Sequence, residues 1–536
     1  MNQHIKKDKN TPQPDYDVMW SAIENEVHHR QAKTQSSRSG MLHRIKAIPV
    51  GIAFSCFLLV AIPVFASVTI DWDRMGGRNV AKALQNGIGQ QYDLQSSNAG
   101  VTMNLNGVVT DGEKMKMLIS LSAAIDLTQY TEFATETNTL IGPAGTAKVY
   151  GYLGYDPNNQ KLLGVYETPD TLKDDAKKYT FKAQNLILYR DRDIPLASKH
   201  ETEETIVTEV AQYPTIHMQS VRHVGDQTIV RYKVAASPTD LGRGNPHLIM
   251  HNHDNEWNAI PTILPNEDSD LLIEQVFNMS ETEWKSSNLH LSYIEEAKRI
   301  EGTWTFDFKA DGKKASEAMY SKSLNTSPEF QERTGVSIDQ LAITPLDIQV
   351  HINKEDSLSK GIVHYNTTEL IIGDQRVMGG RFLKGDQVEG YQHYFQFESP
   401  VWYKDWSDVP MKLILQDAVV EKRDTTKNWV TLHKPTTEKQ QTKLQVEEFE
   451  IQFTYYMDGQ NMIVESSSTS PDFKGVNQTT LRINGQEIVP EITPKGMVST
   501  GVNMDTYRNI PLDATLELNP GIYKYSDPSR NVEMKL

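Results

Sequence analysis

The feature that most constrains this chain is an uncharged run of residues, 47–68. Its central part, residues 50–62, is almost wholly apolar. As an α-helix the run is roughly 33 Å long at about 1.5 Å per residue, and the hydrocarbon layer of a bilayer is about 30 Å thick. The sequence therefore predicts one transmembrane helix over residues 47–68.

The charges that flank this run predict the orientation of the helix. They are Arg30, Lys33, Arg38, Arg44 and Lys46 before the run, and Asp71, Asp73 and a lone Arg74 after it. Because cytoplasmic flanks carry an excess of Lys and Arg, we expect residues 1–46 in the cytoplasm and the bulk of the chain outside the cell membrane. The spacing of Val64 and Ala66, on either side of Phe65, leaves a second interpretation open, a signal peptide that is cleaved before Ser67.

A short amphipathic helix is predicted in the cytoplasmic tail. Apolar side chains recur there at three- and four-residue steps, and Glu24 and Glu26 lie on the opposite arc. The apolar set is Tyr16, Met19, Trp20, Ile23 and Val27. Such a short helix is marginal alone in water, so we expect this set to bind a groove of a cytoplasmic protein partner. The alternative, a helix lying on membrane lipid, would favour Lys and Arg on the polar face.

Charge and cysteine content exclude several classes of function. The formal net charge is -16, and nucleic-acid binding relies on Lys and Arg that neutralise phosphates, so we expect no nucleic-acid partner. Cys56 is the single cysteine, which rules out an internal disulfide and a metal cage built from several Cys ligands. An exported protein of this size without disulfides fits the exterior of a Gram-positive bacterium.

Beyond residue 90 the hydrophobic pattern changes to period two, which is typical of β-strands. Alternating runs meet at Asp111 and Gly112 and again at Asp458 and Gly459, and such pairs favour hairpin turns. Four strand openings recur at spacings of roughly 100 residues, the size of a sandwich domain. The sequence predicts a mainly β fold of tandem antiparallel β-sandwich domains of the Ig-like type, or fewer units if two copies share one pair of sheets. The predicted domains are residues 69–200, 201–325, 326–440 and 441–536.

The sequence predicts no enzyme and no cofactor. It contains no nucleophile elbow, no glycine-rich phosphate loop and no His-Glu-x-x-His zinc helix. Imidazoles and carboxylates crowd one short stretch that could bind a divalent metal. This stretch comprises His247, His251, His253, Asp254 and Glu256. Because the surrounding Gly, Pro and Asn residues favour a solvated loop, we predict no metal ligand there.

One group of aromatic residues could contact a cell-wall polymer. Trp402, Tyr403 and Trp406 lie close to Asp405 and Asp408 and could stack on sugar rings. Aromatic residues of a hydrophobic core explain the same pattern at least as well. A cell-wall partner therefore stays an alternative.

Four features together resemble a known family. They are the Trp-containing tail helix, the single span, the helical segment of residues 80–90 that leads into the hairpin of residues 101–122, and the later opening of residues 336–345. The chain resembles the single-pass proteins of Gram-positive bacteria whose outer region is the four-one-seven-nine family of domains of unknown function. This resemblance implies an anti-sigma-like regulator, with an extracytoplasmic-function sigma factor as its partner.

Two functional hypotheses follow. In the first, a single-pass membrane regulatory protein couples its outer β-domains to the cytoplasmic partner of the tail helix. In the second, a surface-anchored adhesion or wall-binding protein uses the tail and the span only as an anchor. Neither hypothesis requires a catalytic residue.

Overall fold

The structure is a computed structural model that describes residues 70–536 with short gaps. The gaps are residues 170–171, 173–174, 225, 236–243, 254, 265–269, 358–359, 387–389, 399–401, 427, 492–502 and 512–513. The predicted tail helix, with Tyr16, Met19, Trp20, Ile23 and Val27, and the predicted span of residues 47–68 lie outside the described residues. Among the residues described, no helix is long and apolar enough to cross a bilayer.

The described part of the chain is mainly β, with several antiparallel sheets, which confirms the predicted fold class at this level. The alternation that predicted strands is visible in the burial pattern. In the strand Phe449–Asp458, every second residue from Phe449 to Met457 is buried. The predicted hairpin around Gly112 also forms, because the glycine adopts a φ of 86° that the turn requires.

The first module, residues 70–311, contains a larger and a smaller sheet. Its α-helices are α1 (Arg78–Gln85) and α2 (Glu281–Ser286). Its strands are β1 (Gln90–Asn98), β2 (Val101–Thr110), β3 (Lys114–Ala123), β4 (Glu132–Gly142), β5 (Gly145–Lys148), β6 (Tyr150–Asp156), β7 (Lys161–Pro169), β8 (Ala176–Pro195), β9 (Thr205–Val207), β10 (Thr215–Val224), β11 (Gln227–Val234), β12 (His247–His251), β13 (Glu256–Asn258), β14 (Thr262–Leu264), β15 (Leu271–Phe277) and β16 (Asn288–Asp311). The larger sheet has the order β1-β2-β3-β7-β6-β4-β8-β16-β12-β13, with β5 beside β4, and the smaller sheet has the order β14-β15-β11-β10-β9.

The second module, residues 312–536, is built in the same way. Its α-helices are α3 (Lys313–Glu317) and α4 (Pro328–Thr334). Its strands are β17 (Tyr320–Ser323), β18 (Val336–Ile343), β19 (Ile348–Glu355), β20 (Ile362–Ile372), β21 (Gln375–Asp386), β22 (Gly390–Phe397), β23 (Met411–Arg423), β24 (Val430–Thr431), β25 (Gln440–Val446), β26 (Phe449–Asp458), β27 (Asn461–Ser467), β28 (Phe473–Ile483), β29 (Gln486–Ile488), β30 (Asn503–Tyr507), β31 (Leu516–Ser526) and β32 (Val532–Lys535). The larger sheet has the order β17-β18-β19-β22-β21-β20-β23-β31-β28-β29, with β24 beside β31 and β32 beside β23, and the smaller sheet has the order β25-β26-β27-β30.

The two modules share one topology, so the described chain is a tandem repeat. The larger sheets correspond strand by strand: β8 occupies the place of β23, β16 that of β31 and β12 that of β28. In the smaller sheets, the hairpin of β10 and β11 corresponds to that of β26 and β27. Of the four strand openings in the sequence, the first and third therefore belong to the larger sheets, and the second and fourth belong to the smaller sheets.

Long strands connect the two cores of each module. In β16, Trp304 and Phe306 pack in the core between β2, β3 and β8, whereas Leu289 and Leu291 pack against the smaller sheet. The sequence assigned all of β16 to the domain of residues 201–325, but its C-terminal half belongs to the first core. A continuous strand that serves two cores explains this difference. In the second module, Leu432 packs in the core formed mainly by residues 446–523, and Val532 packs in the core formed mainly by residues 324–415. Both contacts cross the predicted boundary between residues 440 and 441.

A further apolar cluster joins the two modules. Helix α1 lies on the first module and buries Val80 and Leu84, and Gly107 lies directly beneath Leu84, where a side chain would clash. The inter-module cluster consists of Trp72, Val80, Ala81, Ala83, Leu84, Ile88, Val109, Leu118, Leu163 and Val165 of the first module with Ala315 and Leu346 of the second. The segment that follows the predicted span is thus part of the contact between modules.

Candidate metal-binding cluster

Neighbouring strands of the first module place polar side chains on one surface. In β12, Leu248 and Met250 are buried in the core beside the smaller sheet, so His251 lies on the opposite face. In β16, the residues on either side of His290 are buried in that same core. Both histidines therefore belong to the outer face of the larger sheet, close to the point where β12 ends in a hairpin.

The strand register brings these two histidines next to Asp193 of β8. His290 is paired with the residue two positions beyond Asp193, so the two side chains are diagonal neighbours. On its other side, His290 is paired with Ile249, which makes His251 a diagonal neighbour as well. Diagonal neighbours on one face are within reach of long and aromatic side chains. Three adjacent strands thus supply one cluster.

The distances within the cluster are short. Nδ1 of His290 lies 2.8 Å from Oδ1 of Asp193, and Nε2 of His251 lies 3.1 Å from Oδ2 of the same carboxylate. The two imidazole rings have their centroids 4.3 Å apart. One ligand atom from each of the three residues lies within 4.8 Å of the other two. A single carboxylate is therefore held between two imidazoles.

The cluster is open to solvent at the carboxylate and more enclosed at the imidazoles. The exposed fraction of the side chain is 43% for Asp193 and 26% for His251, and it is 20% for His290. The Nε2 atom of His251 is itself shielded from solvent, and no group among the described residues meets hydrogen-bond geometry with it. A shielded nitrogen beside a carboxylate is a favourable position for a metal ligand.

The chemistry of the cluster suits a borderline divalent cation. Imidazole nitrogen and carboxylate oxygen bind Zn²⁺ at about 2.0–2.2 Å, and two His with one carboxylate is a common ligand set. At tetrahedral angles such ligands lie about 3.3 Å from each other. The nitrogen–oxygen distances of 2.8 and 3.1 Å are close to that spacing.

The structure divides the histidine-rich stretch that the sequence singled out. His251 belongs to the cluster, and Glu256 lies directly opposite it in the hairpin of β12 and β13. His247 lies four positions earlier in β12 with its Nδ1 atom 3.1 Å from the carbonyl oxygen of Asn245. His253 is exposed in the hairpin loop, and Asp254 lies outside the described residues.

Sequence reasoning missed Asp193 and His290. These two residues are 97 positions apart in the chain, on strands that pair only in the folded protein. The alternating pattern predicted strands in both places, but it carries no information on which strands become neighbours.

The aromatic group of the second module lies mostly inside the protein. Trp406 is buried, and its ring makes edge contacts with Trp402 at 5.5 Å and with Tyr403 at 5.0 Å between centroids. All three residues belong to the core of the second module or pack against it. Trp406 therefore offers no open face on which a sugar ring could stack.

Comparison with known proteins adds little to this geometry. No family model and no curated protein matches the sequence. Among solved structures, the chain is similar to a conserved domain protein from Bacillus anthracis, with 14% sequence identity over 42% of this chain and 92% of that chain. The TM-score of 0.13 is too low to support a statement on fold or function.

Proposed function

We propose that the chain is a single-pass membrane regulatory protein of the anti-sigma-like type. In this proposal residues 47–68 span the cell membrane, and the two outer modules are tandem β-sandwiches of the Ig-like type. The tail helix binds an extracytoplasmic-function sigma factor through the set of Tyr16, Met19, Trp20, Ile23 and Val27. The protein is not an enzyme, and its outer modules control the cytoplasmic contact.

One observation carries the proposal, namely the position of the segment that follows the predicted span. Trp72 and Leu84 are each only 1% exposed, and both pack in the inter-module cluster. Leu346 of the second module belongs to the same cluster. A change in the contact between the modules therefore alters the packing of the chain directly next to the membrane.

Polar contacts support the same arrangement. The side-chain amide of Asn79 in α1 donates to the carbonyl oxygen of Leu346. Beside it, Nζ of Lys114 lies 2.9 Å from Oδ2 of Asp347, and these residues belong to different modules. Both contacts are buried or partly buried, so they depend on one relative position of the modules.

The first experiment tests the cytoplasmic contact. Replacing Trp20 or Ile23 by alanine should reduce co-purification of the sigma factor with the detergent-solubilised full chain by about 10-fold or more, because each removes a large apolar anchor worth about 1.5–3 kcal/mol. Glu24→Ala, on the polar arc of the same helix, is the matched control and should leave recovery unchanged. Unchanged recovery in all three variants would count against the proposal.

The same assay tests the coupling between the two compartments. Lys114→Ala removes a contact between the modules and should change sigma-factor recovery in the full chain. Lys443→Ala removes an exposed ion pair with Glu450 within one sheet and should have no effect. Suppose that Lys114→Ala leaves sigma-factor recovery unchanged while Trp20→Ala abolishes it. The result would then support binding of the sigma factor by the tail helix and contradict its control by the outer modules.

A second candidate function, binding to a cell-wall polymer, is favoured by two exposed aromatic residues. Tyr150 and Tyr152 lie two positions apart on β6 and are 61% and 49% exposed. Their rings therefore share one face, as sugar stacking requires. Replacing both by alanine should lower retention of the full chain on purified cell wall several-fold, whereas Met378→Ala, at a residue that is 60% exposed, should not. Equal retention of all variants would argue against a wall partner.

A further inference from the structure

We propose that Asp193, His251 and His290 form a binding site for Zn²⁺ on the outer face of the first module, with Glu256 as the fourth ligand. This site is independent of the proposed regulatory function, because it involves neither the tail nor the inter-module cluster.

The hairpin of β12 and β13 places Glu256 within reach of the site. Glu256 is paired directly with His251, so the two side chains project from the same face. Directly opposed Cβ atoms are about 4.5–5.5 Å apart, which is less than the length that a glutamate can span by rotation. Glu256 is exposed, so no buried packing holds its carboxylate in place. Two imidazoles and two carboxylates complete a tetrahedral ligand set.

In the second module, a cationic side chain lies at the position that corresponds to His251. Arg482 of β28 corresponds to His251, because it precedes the hairpin of β28 and β29 and is paired there with Glu487, as His251 is with Glu256. The Arg482 guanidinium lies 2.9 Å from Glu487 and 3.2 Å from Glu517. A positive charge therefore lies beside the two glutamates at the hairpin of β28 and β29.

The remaining ligand positions also have counterparts. Asn519 of β31 corresponds to His290, and its Nδ2 atom donates to Oδ2 of Asp424 at 2.8 Å. Asp424 follows β23 and its backbone N–H donates to the carbonyl oxygen of Gly521, two positions beyond Asn519. This is the diagonal position that Asp193 has relative to His290. Asp193 and Glu256 of the first module thus have carboxylate counterparts in Asp424 and Glu487 of the second, and two strands separate the members of each pair.

The modules differ in the residues on the two strands between these carboxylates. In the second module the permanently charged Arg482 neutralises Glu487 and Glu517, and its guanidinium also lies 3.7 Å from the ring centroid of Trp429. Glu517 is paired with Arg482 as Asn288 is with His251, so the first module has no carboxylate at that position. In the first module the corresponding positions are imidazoles, which are metal ligands when neutral. A bound Zn²⁺ would supply there the positive charge that Arg482 supplies in the second module.

Zinc titration of the full-length chain tests the site. The protein is purified in detergent, freed of metal, and titrated with ZnCl₂ in competition with a chromophoric chelator. We expect one Zn²⁺ per chain in excess of that bound by a His251→Ala/His290→Ala double variant. Each single histidine variant should weaken binding at least about 10-fold, and Glu256→Gln should weaken it less.

His247→Ala is the matched control, since His247 lies on the same strand but outside the cluster. This variant should bind Zn²⁺ with the same affinity as the unaltered protein. Co²⁺ gives an independent readout, because a tetrahedral site produces visible absorption bands that the double variant should lack. If a histidine variant does not fold, the near-isosteric Asp193→Asn takes its place. Equal Zn²⁺ affinity of the unaltered protein and the folded cluster variants would overturn the proposal and leave Asp193 as the partner of two ordinary ion pairs.

Discussion

Replacement of Trp304 by alanine should lower the free energy of unfolding by about 3–5 kcal/mol, the range for removal of a buried Trp side chain. Trp304 is fully buried, and its Nε1 atom donates to the carbonyl oxygen of Val101 at 3.1 Å. The substitution therefore leaves a large cavity and removes this buried hydrogen bond. Urea unfolding of the full chain in detergent measures the loss. Tyr150→Ala, at an exposed position, should change it by less than about 0.5 kcal/mol.

The same variant tests whether the shared strands make the first module one cooperative unit. Because β16 serves both of its cores, loss of Trp304 should also increase hydrogen exchange in β10 and β11, which belong to the smaller sheet. If exchange increases only in β2 and β3, the two cores unfold independently, and the domain boundary predicted near residue 200 describes the energetics better than the shared strand does.

Replacement of Asp347 by alanine should lower the free energy of unfolding by a similar amount, about 3–5 kcal/mol, because it leaves the largely buried ammonium group of Lys114 without its nearest carboxylate and with only Asp111, 4.0 Å away, as a salt-bridge partner. Asp347 is only 1% exposed. It lies 2.9 Å from Nζ of Lys114, and it also accepts hydrogen bonds from Thr344 Oγ1 at 2.9 Å and Gln349 Nε2 at 3.1 Å. Burial alone would lower the pKa of Lys114, but the charge of Asp347 and its hydrogen bond raise this pKa above its ordinary value.

A double variant separates the charge effect from the packing effect. Lys114→Met combined with Asp347→Ala removes the ammonium group that has lost Asp347 and should recover a large part of the stability that Asp347→Ala loses. Lys443→Ala disrupts a fully formed but exposed ion pair and should cost about 0–1 kcal/mol in the same urea assay. A loss below about 1 kcal/mol for Asp347→Ala would show that the two modules do not depend on this contact.

The repeat explains why the four strand openings looked alike in the sequence. The patterns around Gly112 and Gly459 were predicted as hairpins and form hairpins, because residue alternation and turn chemistry act over a few neighbouring positions. Their assignment to four separate units did not anticipate the long strands β8 and β16, which are paired along almost their whole lengths. A strand that continues from one core into the next has the same alternating pattern as two shorter strands.

The residues of the candidate metal site show the same difference between what local sequence predicts and what strand pairing decides. His251 and Glu256 stood out in the sequence because they are close together in it. Asp193 and His290 carried no local signal, since each is one polar position in an otherwise ordinary alternating strand. The sequence therefore singled out two of the four residues of the proposed site, and it interpreted their stretch as a loop because the other two residues are far away in the sequence.

By itself, the sequence determined the β class, the hairpins at Asp-Gly turns, and the presence of an uncharged run long enough for a membrane span. These properties depend on periodicity and on turn residues, which are local. Only the tertiary structure decided that the modules repeat, that Lys114 meets Asp347 across 233 positions, and that Asp193 meets His290 across 97. Such contacts depend on which strands pair and in which register, and the free energy that selects them comes from burial of whole faces rather than from any short segment.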